Sequence, residues 1–406
     1  MRRTIQYLNG AALFMACAFF AVACGNTASP TKPDVAEKSR ESGTTATRGN
    51  ETATPDGTKP LSDIHEIVPG GECSDPGPAH AADIAAAAKA LIPLKVGLTF
   101  SNSWKANEDD YEHECLTQVS RIDALGVWTS HSCPVGPKRE LTHGTRHICW
   151  NDFFDSYLYL TGYGEKYQET FVGALQWNLS AASFTALKTN APVRHRYLGL
   201  YDSDPRYFDT DIDGTLMSDG PGTFKIIIND KLAEVPTIEA SYVKQDIIRV
   251  KVLNDVRFPL MLDYYIPTLK KFFITITKVS FPTDGDLAQH LAVDKHADVY
   301  GIYFDFAQDT LRPESEPVLR EIADTMKAHP DWILIVNGHT DNIGGNEMNL
   351  DLSRRRAATV RKALMEQFMI DGARLSTNGY GASQPKDSND TERGRAQNRR
   401  VELVRR

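Results

Sequence analysis

The sequence lacks an excess of positive charge. Its 45 Lys and Arg stand against 53 Asp and Glu, a formal net charge of −8, which excludes a globally basic nucleic-acid binder. Six cysteines in 406 residues are too few for a disulfide scaffold. Beyond Cys24 no apolar run reaches the roughly 20 residues that a spanning helix needs. GxSxG, HExxH, CxxC and phosphate-loop patterns are all missing, so no motif points to an enzyme, and no cofactor or resident metal is expected. Core-forming residues, by contrast, are plentiful. Hydrophobic residues make up 41% and charged residues 24%, which excludes wholesale disorder. The length favours two or three domains.

Residues 1–23 read as an export signal. Arg2 and Arg3 form a positive n-region, and the apolar run Ala11–Ala23 has the size of an h-region, too short to cross a bilayer. Ala21-Val22-Ala23-Cys24-Gly25 resembles a bacterial lipobox, although Ala21 stands where Leu is commonest. The resemblance implies cleavage before Cys24 and acylation of that residue. Two or three acyl chains hold a protein on a membrane where a single one is marginal. Gly25 stands where relatives retained in the inner membrane carry Asp, so the resemblance implies the outer membrane. Ordinary cleavage after Ala23 with Cys24 left as a thiol is the alternative.

Residues 24–60 are rich in Thr, Ser, Ala, Pro and Gly and almost free of large apolar side chains, the composition of a tether. About 35 such residues span roughly 30–35 Å as a flexible coil and about 120 Å fully extended.

Residues 61–285 read as a mainly-β domain. Strand-like runs recur at Lys95–Ser101, Cys115–Ile122, Val127–Ser132, Tyr157–Tyr163, Thr170–Gln176, Arg196–Tyr201, Thr223–Ile228, Asp246–Leu253 and Phe272–Val279. Asn229-Asp230 suits a hairpin turn, and helical signal is confined to Ala81–Leu91 and Ser180–Leu187. Many short strands with few helices point to a sandwich or barrel. With Cys17 in the signal and Cys24 lipidated, Cys73, Cys115, Cys133 and Cys149 are left, an even set that suggests two disulfides in an exported chain. Three pairings are open. The competing reading is zinc, because His113/Cys115, His131/Cys133 and His147/Cys149 repeat a spacing that puts both side chains on one strand face. Asp209, Asp211 and Asp213 match the first half of a calcium loop, but position twelve is Gly220 rather than Glu, and an exposed acidic hairpin fits better.

From Val299 the pattern alternates strand and helix. Val299–Phe306 reads as a strand, Pro313–His329 as a helix with Val318, Leu319, Ile322 and Met326 on one stripe, and Trp332–Asn337 as a buried strand. A second helix runs to Phe368 with Ser353, Ala357, Val360, Leu364 and Phe368 inward, and Arg374–Tyr380 and Val401–Val404 complete a small α/β domain. Asn337 to Asn342 follows a strand and precedes a helix, where α/β sheets usually bind ligands.

Tyr303-Phe304-Asp305-Phe306, Gly338-His339-Thr340-Asp341, Leu352-Ser353-x-x-Arg356-Ala357, Gly379-Tyr380-Gly381 and Asn398-Arg399-Arg400-Val401-Glu402 resemble the OmpA-like carboxyl-terminal domain. The resemblance covers Val299–Arg406, within a domain drawn at 294–406. It implies a βαβαβ-β sandwich and non-covalent binding of peptidoglycan through the diaminopimelate of its stem peptide. By the same resemblance Asp341 takes the ligand's ammonium and Arg356 its carboxylate, Thr340 and Asn342 line the pocket, Asp305 and Phe306 lie near the ligand, and Leu352 supplies an apolar wall. A carboxylate and a guanidinium match the two charges of a free amino-acid head. Taken alone, Asp341 reads as a loop-capping Asp and Arg356 as a solvated helix-face Arg. His329 and His339 read as ordinary polar positions. Arg393, Arg395, Arg399, Arg400, Arg405 and Arg406 read as a solvated face.

The expected protein is therefore multidomain and non-enzymatic. It is an outer-membrane lipoprotein facing the periplasm, with peptidoglycan as its partner and no nucleic acid. The alternative makes the β-rich block a ligand-binding or enzymatic module that the last domain delivers to the cell wall.

Overall fold

The computed structural model describes residues 59–60, 67–105, 113–135, 140–161, 168–200, 207–229, 231–243, 248–266, 272–282 and 286–406. The expected signal peptide, the lipidation site Cys24 and tether residues 24–58 lie outside the described residues. Lys59–Pro60, placed in the tether by composition, instead pair antiparallel with Tyr207 and Phe208. Among the described residues no helix is long and apolar enough to cross a membrane.

Alternating burial builds the β-rich part. Ile238, Ala240 and Tyr242 point into one core from strand Lys231–Tyr242, and Tyr264 and Ile266 join them from Met261–Ile266. Strands Tyr207–Ile228, Lys231–Tyr242, Arg249–Leu253, Met261–Ile266 and Phe272–Ser280 pair in sequence. Parallel contact of Ile227 and Ile228 with Lys278 and Val279 then closes these five on themselves. The sheet continues outward through Thr99–Lys105, His113–Ile122, Gly126–Val135, Glu140–Cys149 and Gln168–Val172. Ile228 faces Lys231 across the expected hairpin turn, with Asn229 at φ 38. One core gathers Leu98, Phe100, Val119, Ile148, Trp177 and Leu262, with the Trp177 ring 5.2 Å from Phe258 and 5.3 Å from Phe100.

The cysteines pair as Cys73–Cys149 and Cys115–Cys133, which resolves the three open pairings and consumes the sulfurs of the zinc reading. Asp211 and Asp213 lie in an extended strand rather than a loop, each bridged to an arginine of the neighbouring strand, Arg196 at 2.9 Å and Arg194 at 2.8 Å. Asp209's side chain lies outside the described residues.

Asp152 sits in the short helix Trp150–Asp155, buried, with both carboxylate oxygens accepting the Gly173 N–H at 3.1 Å. Burial pushes its carboxyl up from 3.8 to about 7. A raised folded-state value means that stability is full below pH 4 and falls as pH climbs through 7. Asp152→Asn keeps an acceptor for Gly173 without the charge. It should add about 1 kcal/mol at pH 8 and almost nothing at pH 4. Urea midpoints at the two pH values check this, and equal gains at both would rule out the ionised carboxylate as the cause.

The carboxyl-terminal part has a four-stranded sheet in the order His296–Val299, Val401–Arg405, Leu334–His339, Leu375–Gly381. The first three strands pair antiparallel, and the last joins in parallel through helix Asn346–Glu366. Helix Glu316–Ala328 presses Leu319, Ile322 and Met326 onto the sheet, and the longer helix presses Ala357, Val360 and Leu364. Helix Asp286–Val293, unmarked in the sequence reading, adds Leu287 and Leu291 to the same core.

One expected element is corrected. The strand here is His296–Val299, and the chain leaves the sheet before Phe306. Tyr303 gives its N–H to Ser315 Oγ and its C=O accepts the Arg312 N–H, while Phe304 bridges Leu311. The backbone groups a strand would use are thus spent on a local loop.

Candidate functional site

Two glycines bring the long helix down onto the sheet. A Cβ at Gly338 would stand 2.2 Å from Ser353 O, and one at Gly379 would stand 2.4 Å from Arg354 N. Ser353 Oγ accepts the Gly381 N–H at 2.9 Å, which fixes the helix's rotation. Arg356 follows one turn later and reaches the loop at residues 304–308.

The segment that leaves strand Leu334–His339 is Thr340-Asp341-Asn342. Asp341 Oδ1 accepts the Ile343 N–H at 3.0 Å, an Asx turn, and Asn349 Nδ2 donates to the carbonyls of Asp341 and Ile343 at 3.2 and 3.1 Å. Asp341's side chain is only 12% exposed. Its second oxygen accepts from Arg399 Nη1 at 2.8 Å. Thr340 gives its N–H to Gly381 O, and its buried hydroxyl has no hydrogen-bond partner. Asn342 is exposed, with its N–H on Asn389 Oδ1 at 3.2 Å.

Arg356 clasps the loop that replaced the expected strand. Its Nε donates to Gln308 O at 2.9 Å and its Nη2 to Asp305 O at 3.3 Å, while the guanidinium lies 4.8 Å from the Phe304 ring. Burial first and repulsion from Arg399 second push it down to about 10, so it stays charged at neutral pH. Asp305 joins the site through its carbonyl, because its carboxylate faces Arg312 at 3.6 Å. Phe306 is exposed at the loop's tip and Leu352 partly buried beside Ser353.

Arg399 is a correction. It is no part of a solvated face, since it ties Asp341 to Glu114 of strand His113–Ile122, with Nε 3.6 Å from Glu114 Oε2. Burial works against its charge, but Glu114 and Asp341 outweigh that and raise its pKa. Arg400 is buried, paired with Asp298 at 3.0 Å. The place of Arg399 inside the Asn398–Glu402 motif was a usable signal. Glu114 had none, because it comes from a part of the chain more than 200 residues away.

The two parts meet here. Glu114 also pairs with buried Lys278 at 3.1 Å. Ser132 Oγ donates to Glu314 Oε1 at 2.6 Å, Gln118 Nε2 donates to Glu314 O at 3.0 Å, and Ser280 and Tyr303 share a hydroxyl contact at 3.0 Å.

Comparison with known proteins follows the same boundary. Residues 303–399 match the OmpA family. The chain is 40% identical over 103 residues to the probable lipoprotein YiaD of Escherichia coli, covering 25% of this chain and 47% of that protein. It is 41% identical over 95 residues to the peptidoglycan-binding protein ArfA of Mycobacterium bovis, covering 23% and 29%. Among solved structures, the peptidoglycan-associated lipoprotein of Burkholderia pseudomallei matches at 32% identity and a TM-score of 0.25, covering 26% of this chain and 88% of that one. The chain spans about half the length, or less, of the curated relatives it matches. The carboxyl-terminal domain of this chain belongs to the OmpA family.

Proposed function

We propose that this chain is an outer-membrane lipoprotein, anchored through Cys24 and facing the periplasm, that holds peptidoglycan non-covalently through the diaminopimelate of its stem peptide. The carrying observation is a buried carboxylate, Asp341, within electrostatic reach of a charged, part-buried guanidinium, Arg356. Asp341 would receive the ammonium of the ligand's free amino-acid head. Arg356 would receive its carboxylate, with the unpartnered hydroxyl of Thr340 as a further donor. The named binding property of ArfA, similar over this same segment, supports the reading. No bond is made or broken in this role.

One observation favours a ligand for the β-rich part as well. A groove of about 640 Å³ lies between its short helices, lined by Ile84, Trp150, Phe153 and Phe154 with Arg257 among its polar residues. That composition suits binding of an apolar group.

The test for the wall site is calorimetric titration of the mature chain with a stem peptide carrying diaminopimelate and with its lysine counterpart, which lacks the second carboxylate. Binding of the first and at least tenfold weaker binding of the second is expected. Equal affinity for both, or none for either, overturns the assignment.

A further inference from the structure

Arg399 has a planar fork able to grip a carboxylate with two parallel hydrogen bonds. It does not use the fork that way. Nη1 alone reaches Asp341 Oδ2, at 2.8 Å, while the Nε side is turned toward Glu114 Oε2 at 3.6 Å. Glu114 is itself fixed by buried Lys278 at 3.1 Å and by the Ser101 hydroxyl. Enclosure alone would raise the Glu114 carboxyl, but Lys278 and then Arg399 outweigh it, and the group stays well below the usual carboxylate range. Glu114 and Arg399 keep 32% and 26% of their side-chain surface open, so the divided fork lies where a ligand can reach it.

We propose that Glu114, contributed by the β-rich part, is a positioning residue for wall recognition: by holding one side of Arg399 it prevents a closed two-bond pair with Asp341 and leaves that carboxylate able to accept an ammonium. The inference rests on the function proposed above. A neutral residue at 114 lets Arg399 turn wholly onto Asp341, where it competes with the incoming ammonium and repels it. The β-rich part thereby sets the affinity of a site it does not contain.

The test compares the full mature chain with Glu114→Gln, Glu114→Asp and the double variant Glu114→Gln/Lys278→Met. The double variant leaves no buried ammonium without a partner, and its thermal midpoint controls for folding. The probes are the diaminopimelate stem peptide and the same peptide with its side-chain amine acetylated. Glu114→Gln and the double variant should bind the free-amine peptide about tenfold more weakly, a coupling of ordinary size, with Glu114→Asp recovering most of the loss. The acetylated peptide should bind weakly and equally to every form. Wild-type affinity in a folded double variant overturns the inference while leaving the function standing, and so does an equal loss for both peptides. If the wild-type chain binds neither peptide, the proposed function fails and this inference with it.

Discussion

Asp341→Ala should abolish pelleting of the mature chain with purified sacculi. Removing one partner of an enclosed charge pair costs about 2–5 kcal/mol, so affinity should fall by roughly thirtyfold to several thousandfold. The alanine variant also frees the Ile343 N–H and one side of Arg399, which clouds its interpretation. Asp341→Asn separates the two effects, because the amide oxygen still accepts from Ile343 while the charge is gone. Both variants should keep the wild-type circular dichroism and lose the sacculi. An asparagine variant that pellets like the wild type would remove Asp341 from the role assigned to it.

Gly338→Ala should be strongly destabilising to the carboxyl-terminal domain. The new Cβ meets a helix backbone carbonyl at 2.2 Å, and no rotamer change relieves a backbone contact. Overpacking costs about 1–3 kcal/mol, occasionally more, and the upper end applies because helix Asn346–Glu366 must lift off strand Leu334–His339. That lift also carries Arg356 away from Asp341, so binding should fall together with the urea midpoint. Gly345 is the control: no atom lies within 4 Å of its would-be Cβ, and Gly345→Ala should cost about 0.5–1 kcal/mol as a helix-cap change. Equal midpoints for the two variants would show that the close approach at Gly338 is relieved cheaply.

Period and motif read the carboxyl-terminal domain well. Ser353, Ala357, Val360 and Leu364 form the inward stripe of the long helix, and Leu319, Ile322 and Met326 that of the shorter one, because 3.6-residue spacing is a local property. Residues 300–306 misled because apolar and aromatic composition marks burial, not strand pairing. Tyr303 is buried, yet its backbone bonds go to Ser315 and Arg312. Arg399 was hidden by its company: among six arginines, composition does not separate the two that form ion pairs across the domain, Arg399 and Arg400, from the rest, and only the Asn398–Glu402 motif marked them. The cysteine pairing and the meeting of Glu114 with Arg399 depend on contacts across long stretches of chain, which composition and periodicity do not encode. In the β-rich part the turn at Asn229 was legible. Strand Met261–Ile266 was not, and neither was the parallel closure between Ile228 and Val279, which no hairpin signal announces.

Strand Val401–Arg405 lies inside the four-stranded sheet, flanked on both sides, and Arg399 arrives only just before it. Folding of the domain therefore waits for residues 399–405. Until they dock, the two neighbouring strands have an empty lane between them and Asp341 has no arginine. A chain lacking residues 399–405 would therefore lose both an inner strand of this sheet and the arginine partner of Asp341.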